Sequence, residues 1–445
     1  MAFMSGRVGF VRLQVVGANG RPTRADDALL KQLGEHVFQE TSVGVPLALE
    51  SGFTAGEHLY DSSFSLEKNA LMDGAVAWFG VRVDTNTPPA EIRRALRAQH
   101  EAALRKESGR ERLNRAERAE AKDMAEQALA SHLADGHYRR SVHAEVLWHV
   151  ASGVVLCSAT AGNTIEALCA RFREVFDGLS LKPISAGPLA AGMLSKRGRT
   201  RELEDIKPSL FMKAPSGGRG AHDDDGVPMY DFNAPAVPWA HAGGEPTDFL
   251  GNEMLIWIWH RCETGAPEVG AKVPEWAGGG EGRIALALDR ALDSSCAWGV
   301  TGTQALRGDA GGVAPIRLAE AKEALAGGKW PRKSGLIVAD GEGAALPWSL
   351  TLHADKWQVS GGAQPKPEEA FETPAQERAW RCAQTLQLAG MLEGVFDAFL
   401  DERTSARWPA TREAIKGWIA ARGEKKAAAM VEAKPEVAQA VGSDA

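Results

Sequence analysis

Two apolar runs meet at Ser152-Gly153 in HAEVLWHVASGVVLCSA (residues 143–159), and NTIEALCARFREVF (163–176), with apolar residues at helical spacing, follows after three residues. The first stretch reads as a β-hairpin, the second as an amphipathic helix ended by Gly178. Flanking segments use the same two periods. GRVGFVRLQVVG (6–17) alternates as a strand, and DDALLKQLGEHVF (26–38) has helical spacing behind a cap at Asp26 or Asp27. GAVAWFGVRVDTN (74–86) is a second strand that stops before Pro88-Pro89, where a helix from residue 91 can begin because proline is tolerated in a first turn. Sheet and helix alternate by layers, so the fold class is α+β, with antiparallel sheets and flanking helices rather than a run of βαβ units.

Further along, KSGLIVADGEGAALPWSLTLHADKWQVSGG (333–362) alternates strand-like runs with glycine turns placed at Asp340-Gly341 and Gly361-Gly362. PAQERAWRCAQTLQLAGMLEGVFDAFLDERT (374–404) reads as one long helix. Between Pro188 and about Asp248, proline, glycine and charge dominate, which predicts an extended insertion or mobile loops. With 445 residues, about three domains of ~150 residues are expected. The boundaries read as 1–90 and 141–187 for a central domain, 91–140 for a charged helical arm, 188–314 for an insertion, 315–424 for a C-terminal strand and helix domain, and 425–445 for a disordered tail.

Motifs for chemistry are mostly absent. The chain has no GxxxxGK[ST], GxSxG or HExxH, and no GxGxxG set between a strand and a helix, so no enzyme activity and no cofactor is expected. AGGKW (326–330) is not a phosphate loop, and GGGEGR (278–283) is a flexible turn. The run His222, Asp223, Asp224, Asp225 has the chemistry to ligate a hard cation for a metal-dependent nuclease, but in a glycine-rich loop it reads as a solvated turn, and no metal is expected. WHRCE would place His260 and Cys262 on one face if extended, yet two ligands do not make a zinc site. The five cysteines form no CxxC pair and read as buried small hydrophobes in a reducing compartment. The longest compact apolar run is MLIWIW (254–259), far short of the ~20 residues a membrane span needs, and MAFMSGRVGF lacks a signal-peptide core, so a cytoplasmic protein is expected.

Charge is distributed unevenly. The chain carries a net −7, but Glu91 to Lys122 holds ten Lys or Arg against six Asp or Glu. If this stretch is one helix, Arg94, Arg97, Arg105, Arg112 and Arg115 fall within an arc of about 80°, a stripe roughly 32 Å long. That length is close to one turn of DNA (~34 Å), and guanidinium pairs with phosphate without reading bases. Arg93, Lys106 and Arg118 extend the set; Ser108-Gly109 is the place where such a helix would break. Two further basic clusters, KRGRTR with Lys196, Arg197, Arg199 and Arg201, and KWPRK with Lys329, Arg332 and Lys333 beside Trp330, strengthen the reading of a duplex-DNA binder. A negative total does not oppose it, because affinity follows the local potential.

The order of segments resembles the RdgC-like recombination-associated proteins of bacteria. The likeness rests on VGFVRL (8–13), GFTAGEHLYD (52–61), PPAEIRRA (88–95), the block LWHVASGVVLCSATAGNTIEALCARFREVFDGLSLKPIS (147–185) and ALAGGKWPRKSGLIVADGEGAALPWSLTLHADKW (324–357). It spans roughly residues 5–190 and 315–400. The resemblance implies a nucleoid-associated homodimer that closes into a ring around duplex DNA, binds it without sequence preference and restrains the RecA recombinase. It also implies that the helix from Arg93 to Arg118 is a protruding DNA-facing arm and that Tyr138, in DGHYRRS, is the aromatic nearest the dimer contact. The alternative reading is a phage- or plasmid-associated protein-interaction module without direct DNA contact.

Overall fold

The computed structural model describes residues 3–17, 20–40, 47–212, 244–298, 302–308, 314–341, 347–367 and 370–432, with backbone alone for 422–432. The chain forms two compact units: a contiguous one, Val15–Leu181, and a split one made of Met1–Gln14 with Lys182–Ala445. The fold is mixed α+β, with antiparallel sheet and flanking helices. Strand β1 (Arg7–Val16) runs through the boundary in sequence, with residues 7–14 in the split unit.

In the contiguous unit, α1 (Asp27–Gly34) starts where the Asp26 carboxylate accepts the Leu29 amide at 2.9 Å, and it buries Leu29, Leu30 and Leu33. Then come β2 (Leu49–Thr54), α2 (Leu66–Asn69), β3 (Ala70–Leu71) and β4 (Val76–Asn86). Next are the helices α3 (Ala90–Ser108) and α4 (Arg115–Ala134), the hairpin strands β5 (Arg139–His149) and β6 (Val154–Cys157), the helix α5 (Gly162–Val175), and β7 (Ser180–Pro183) at the boundary. The sheet order is β6-β5-β4-β2, every pairing antiparallel.

Residues paired directly across strands share a face, so the register sorts the side chains. One face carries Phe53, Ala77, Phe79, Val81, Val83, Val146 and Trp148. There Trp148 meets Phe172 and Phe176 of the α5 segment at ring distances of 5.3 and 5.5 Å, and Phe53 meets Phe79 edge-on at 5.4 Å. Each such buried ring contributes about 1.5–3 kcal/mol. The other face carries Glu50, Thr54, Trp78, Arg82, Asp84, Arg139, Ser141, His143 and Glu145, an unusual density of polar groups for a strand as buried as β4.

The split unit begins its second segment with α6 (Ala186–Lys196), α7 (Thr200–Glu204) and α8 (Phe249–Glu263), followed by β8 (Glu268–Lys272), β9 (Glu281–Cys296), β10 (Gln304–Arg307), α9 (Ala319–Ala326), β11 (Lys329–Asp340), β12 (Trp348–His353) and β13 (Gln358–Ala363). Two long helices close it, α10 (Pro374–Arg403) and α11 (Trp408–Glu432). Its strands run β10-β9-β11-β12-β13-β1, antiparallel, with β8 also on β9. Helix α8 is buried on all sides from Phe249 to Trp259, and α10 opens with a capping box between Thr373 and Gln376. Buried ion pairs join Arg12 to Glu393 (2.6 Å) and Arg403 to Glu253 (2.7 Å).

Several expectations change. Two helices, Ala186–Lys196 and Thr200–Glu204, occupy the start of the stretch from Pro188 where an extended insertion or mobile loops were expected. Gly361-Gly362 lies inside β13, and the turn is instead Ala354–Trp357, with Trp357 at φ +50°. WHRCE is the end of α8, so His260 and Cys262 project about 200° apart, not on one face. His260 packs on Trp418 at 5.4 Å, and the Cys262 thiol donates to the Leu286 carbonyl. Of the five free cysteines, Cys157, Cys296 and Cys382 are buried, while Cys169 and Cys262 are half-buried. No helix among the described residues is long and apolar enough to cross a membrane. The His222–Asp225 run and residues 433–445 of the tail lie outside the described residues.

Candidate nucleic-acid interface

The charged stretch is two helices, not one. Gly109 follows Ser108 with φ +63°, a left-handed conformation that ends α3, and Asn114 caps α4 in a box with Glu117. The helices pack as a hairpin, with Leu113, Ala121, Ala125 and Leu129 buried and Leu96, His100 and Leu104 half-buried. Arg112 therefore sits in the connection and Arg115 opens a new helix, so the single five-arginine stripe is lost.

What remains on α3 is Arg94, Arg97 and Arg105, centred about 100° round from Leu96, His100 and Leu104. Glutamates share that arc. Glu101 takes Arg97 at 3.0 Å and Arg105 at 3.2 Å, and Glu91 takes Arg94 at 2.6 Å. Arg110 reaches Glu117 at 3.3 Å, and Lys122 reaches Glu126 at 3.5 Å. Exposed pairs of this kind stabilise by at most about 1 kcal/mol and are screened by salt, so phosphate can displace them. The other half of the hairpin's cations, Arg93, Lys106, Arg112, Arg115 and Arg118, are exposed and make no ion pair among the described residues. No residue of α3 is fully buried.

The two other basic clusters belong to the split unit and are largely engaged. Arg197 binds Asp397 and Asp401 of α10, and Arg199 binds Glu202 (2.7 Å), Asp401 (3.1 Å) and the Thr404 hydroxyl (2.7 Å). Arg332 holds Asp355 at 2.5 Å, the Lys329 ammonium donates to Gln304, and Trp330 lies in the core with no exposed surface. Lys196 is exposed; Lys333 is half-buried. Tyr138 is half-buried beside α4, its hydroxyl 2.9 Å from His132 Nδ1 and its ring edge-on to His137 at 5.1 Å.

A second constellation in the contiguous unit escaped sequence reasoning. Arg82 forks onto Asp84, which also receives Arg139 Nε at 2.9 Å; Arg139 in turn spans Glu40 (2.6 Å) and Glu50 (3.1 Å). The Arg82 guanidinium lies over Phe38 at 4.1 Å and Tyr60 at 5.2 Å. Beside it, Thr54 Oγ1 and His143 Nε2 are 2.9 Å apart. Burial first, and then the charge of His58, holds His143 below the usual imidazole range. Asp61 accepts Lys68 Nζ at 2.6 Å and the amides of Glu57 and Ser63; burial pushes its carboxyl up, but these bonds and the lysine charge bring it below the usual range. A cavity of about 240 Å³ opens among Phe38, Glu40, Thr54, Tyr60, Asp61 and Arg82. The available signal was GVRVDTN, which sets Arg82 and Asp84 on one face of an otherwise apolar strand.

No cluster of three or more metal-ligating side chains occurs among the described residues. No family model matches the chain, and no curated protein matches it.

Proposed function

We propose that the chain is a non-catalytic binder of duplex DNA without sequence preference, acting in recombination or replication in the bacterial nucleoid. In this reading a homodimer encircles the duplex and restrains RecA, and the α3/α4 hairpin is the protruding arm that meets the backbone. The observation that carries the reading is the hairpin's exposure: α3 has no buried residue, and five of the hairpin's ten Lys and Arg have no ion partner among the described residues. Phosphates reaching these five need not compete with a carboxylate, and each phosphate engaged releases condensed counterions. At 19 residues α3 is about 28 Å long, comparable to one turn of duplex.

Retention of linear and circular duplexes at rising salt tests this. Both should be retarded at low salt, and circles should outlast linear molecules because a closed ring slides off free ends. Absence of retardation at low salt overturns DNA binding; equal loss from both forms overturns the ring.

A further inference from the structure

We propose that the cavity between Arg82 and Tyr60 binds a small zwitterion of the α-amino-acid class, a role independent of DNA binding. Arg82 is 5% exposed and lines the cavity. Its Nε and Nη2 are consumed by Asp84 and Ser141, and its ring-facing sides carry Phe38 and Tyr60. Among the described residues, Nη1 alone is left without a partner, a donor fixed in place to receive a carboxylate in a charge-assisted bond. Glu40, one oxygen of which Arg139 holds at 2.6 Å, and Asp61, held by Lys68 and two backbone amides, line the same space. A plain anion entering here meets those carboxylates, and a plain cation meets the guanidinium. A molecule carrying both charges satisfies both ends. Val37, Leu59 and the two aromatic rings offer apolar walls for its side chain, and about 240 Å³ suits a molecule below drug size. Ser62 supplies a further hydroxyl on the lining.

Calorimetric titration of the full chain with each proteinogenic amino acid in turn tests the assignment, followed by the carboxamide and N-acetyl forms of the best binder. At least one apolar amino acid should bind saturably, and removing either charge should weaken it about tenfold or more. Tyr60→Ala should weaken binding several-fold at unchanged melting temperature, because Tyr60 is 76% exposed and its side chain makes no hydrogen bond among the described residues. The proposal is overturned if no amino acid binds, if either blocked form binds as well as the parent, or if Tyr60→Ala leaves affinity unchanged.

Discussion

Arg82 and Asp84, two residues apart on β4, form a forked ion pair inside the contiguous unit: Nε to Oδ1 at 2.8 Å and Nη2 to Oδ2 at 2.7 Å. They are 5% and 1% exposed. Removing one partner of a buried pair leaves the other charge without compensation, whereas replacing both with apolar groups removes the desolvation cost as well. Asp84→Ala should therefore lower the unfolding free energy by about 3–5 kcal/mol, and Arg82→Met with Asp84→Leu should recover part of that loss. Urea unfolding of the three proteins measures it.

Acid sensitivity follows from the same carboxylate. Burial raises the Asp84 pKa, but hydrogen bonds from Arg82 and Ser141 and the charges of Arg82 and Arg139 outweigh it, and the net direction is down, as it is for Asp61. A folded pKa below the unfolded value means stability that is present in full above the unfolded value of about 3.9 and is lost as pH falls through the folded one. Unfolding free energy should fall steeply below about pH 4, and Asp84→Asn should flatten that fall.

The hairpin depends on one backbone position. Gly109 has φ +63° with open space where a Cβ would lie, so Gly109→Ala costs only the left-handed conformation, about 1–2 kcal/mol. Asn114→Ala removes the α4 cap at about 1 kcal/mol. Amide exchange in the first turn of α4 should accelerate in the second variant, with the β4 and β5 amides unaffected.

If the hairpin binds DNA as proposed, salt dependence should separate two classes of arginine. Arg112, Arg115 and Arg118 make no ion pair among the described residues, whereas Arg94, Arg97 and Arg105 face Glu91 and Glu101. Alanine at the first three should reduce the log–log salt slope by about 0.9 for each phosphate no longer neutralised, and alanine at the second three should reduce it less. Equal slopes in both triples contradict the division.

Thiol chemistry should be slow. Burial pushes Cys157 up to about 12, and Cys169 and Cys262 up to about 11. The thiolate is the nucleophile, so these three should resist alkylation at pH 8 in the native protein and react fully once unfolded. Rapid native modification of any of them contradicts the burial.

Close approaches of backbone were not visible in the amino-acid order. Gly52 on β2 has space only for hydrogen, since a Cβ would lie 2.3 Å from the Phe38 Cα, and nothing in the letters GFTAG marks that approach. Helix α8 carries apolar residues on every side and so has no period to read, while the β5/β6 hairpin, β4 and α10 were legible because their hydrophobic repeat is local. The basic stripe failed at Gly109, where a single left-handed residue resets the phase of everything after it.

By itself, the order of residues determined the α+β class, the hairpin followed by a helix, and the gathering of positive charge between Glu91 and Lys122, because periodicity, caps and charge count are properties of neighbours along the chain. Only the tertiary structure decided which cations stay available. Arg197 and Arg199 meet carboxylates about 200 positions away, Arg332 meets Asp355, and Arg82 is walled in by Phe38 and Tyr60. The strength of a charge interaction depends on distance and burial in space, and neither is encoded in the spacing of the chain.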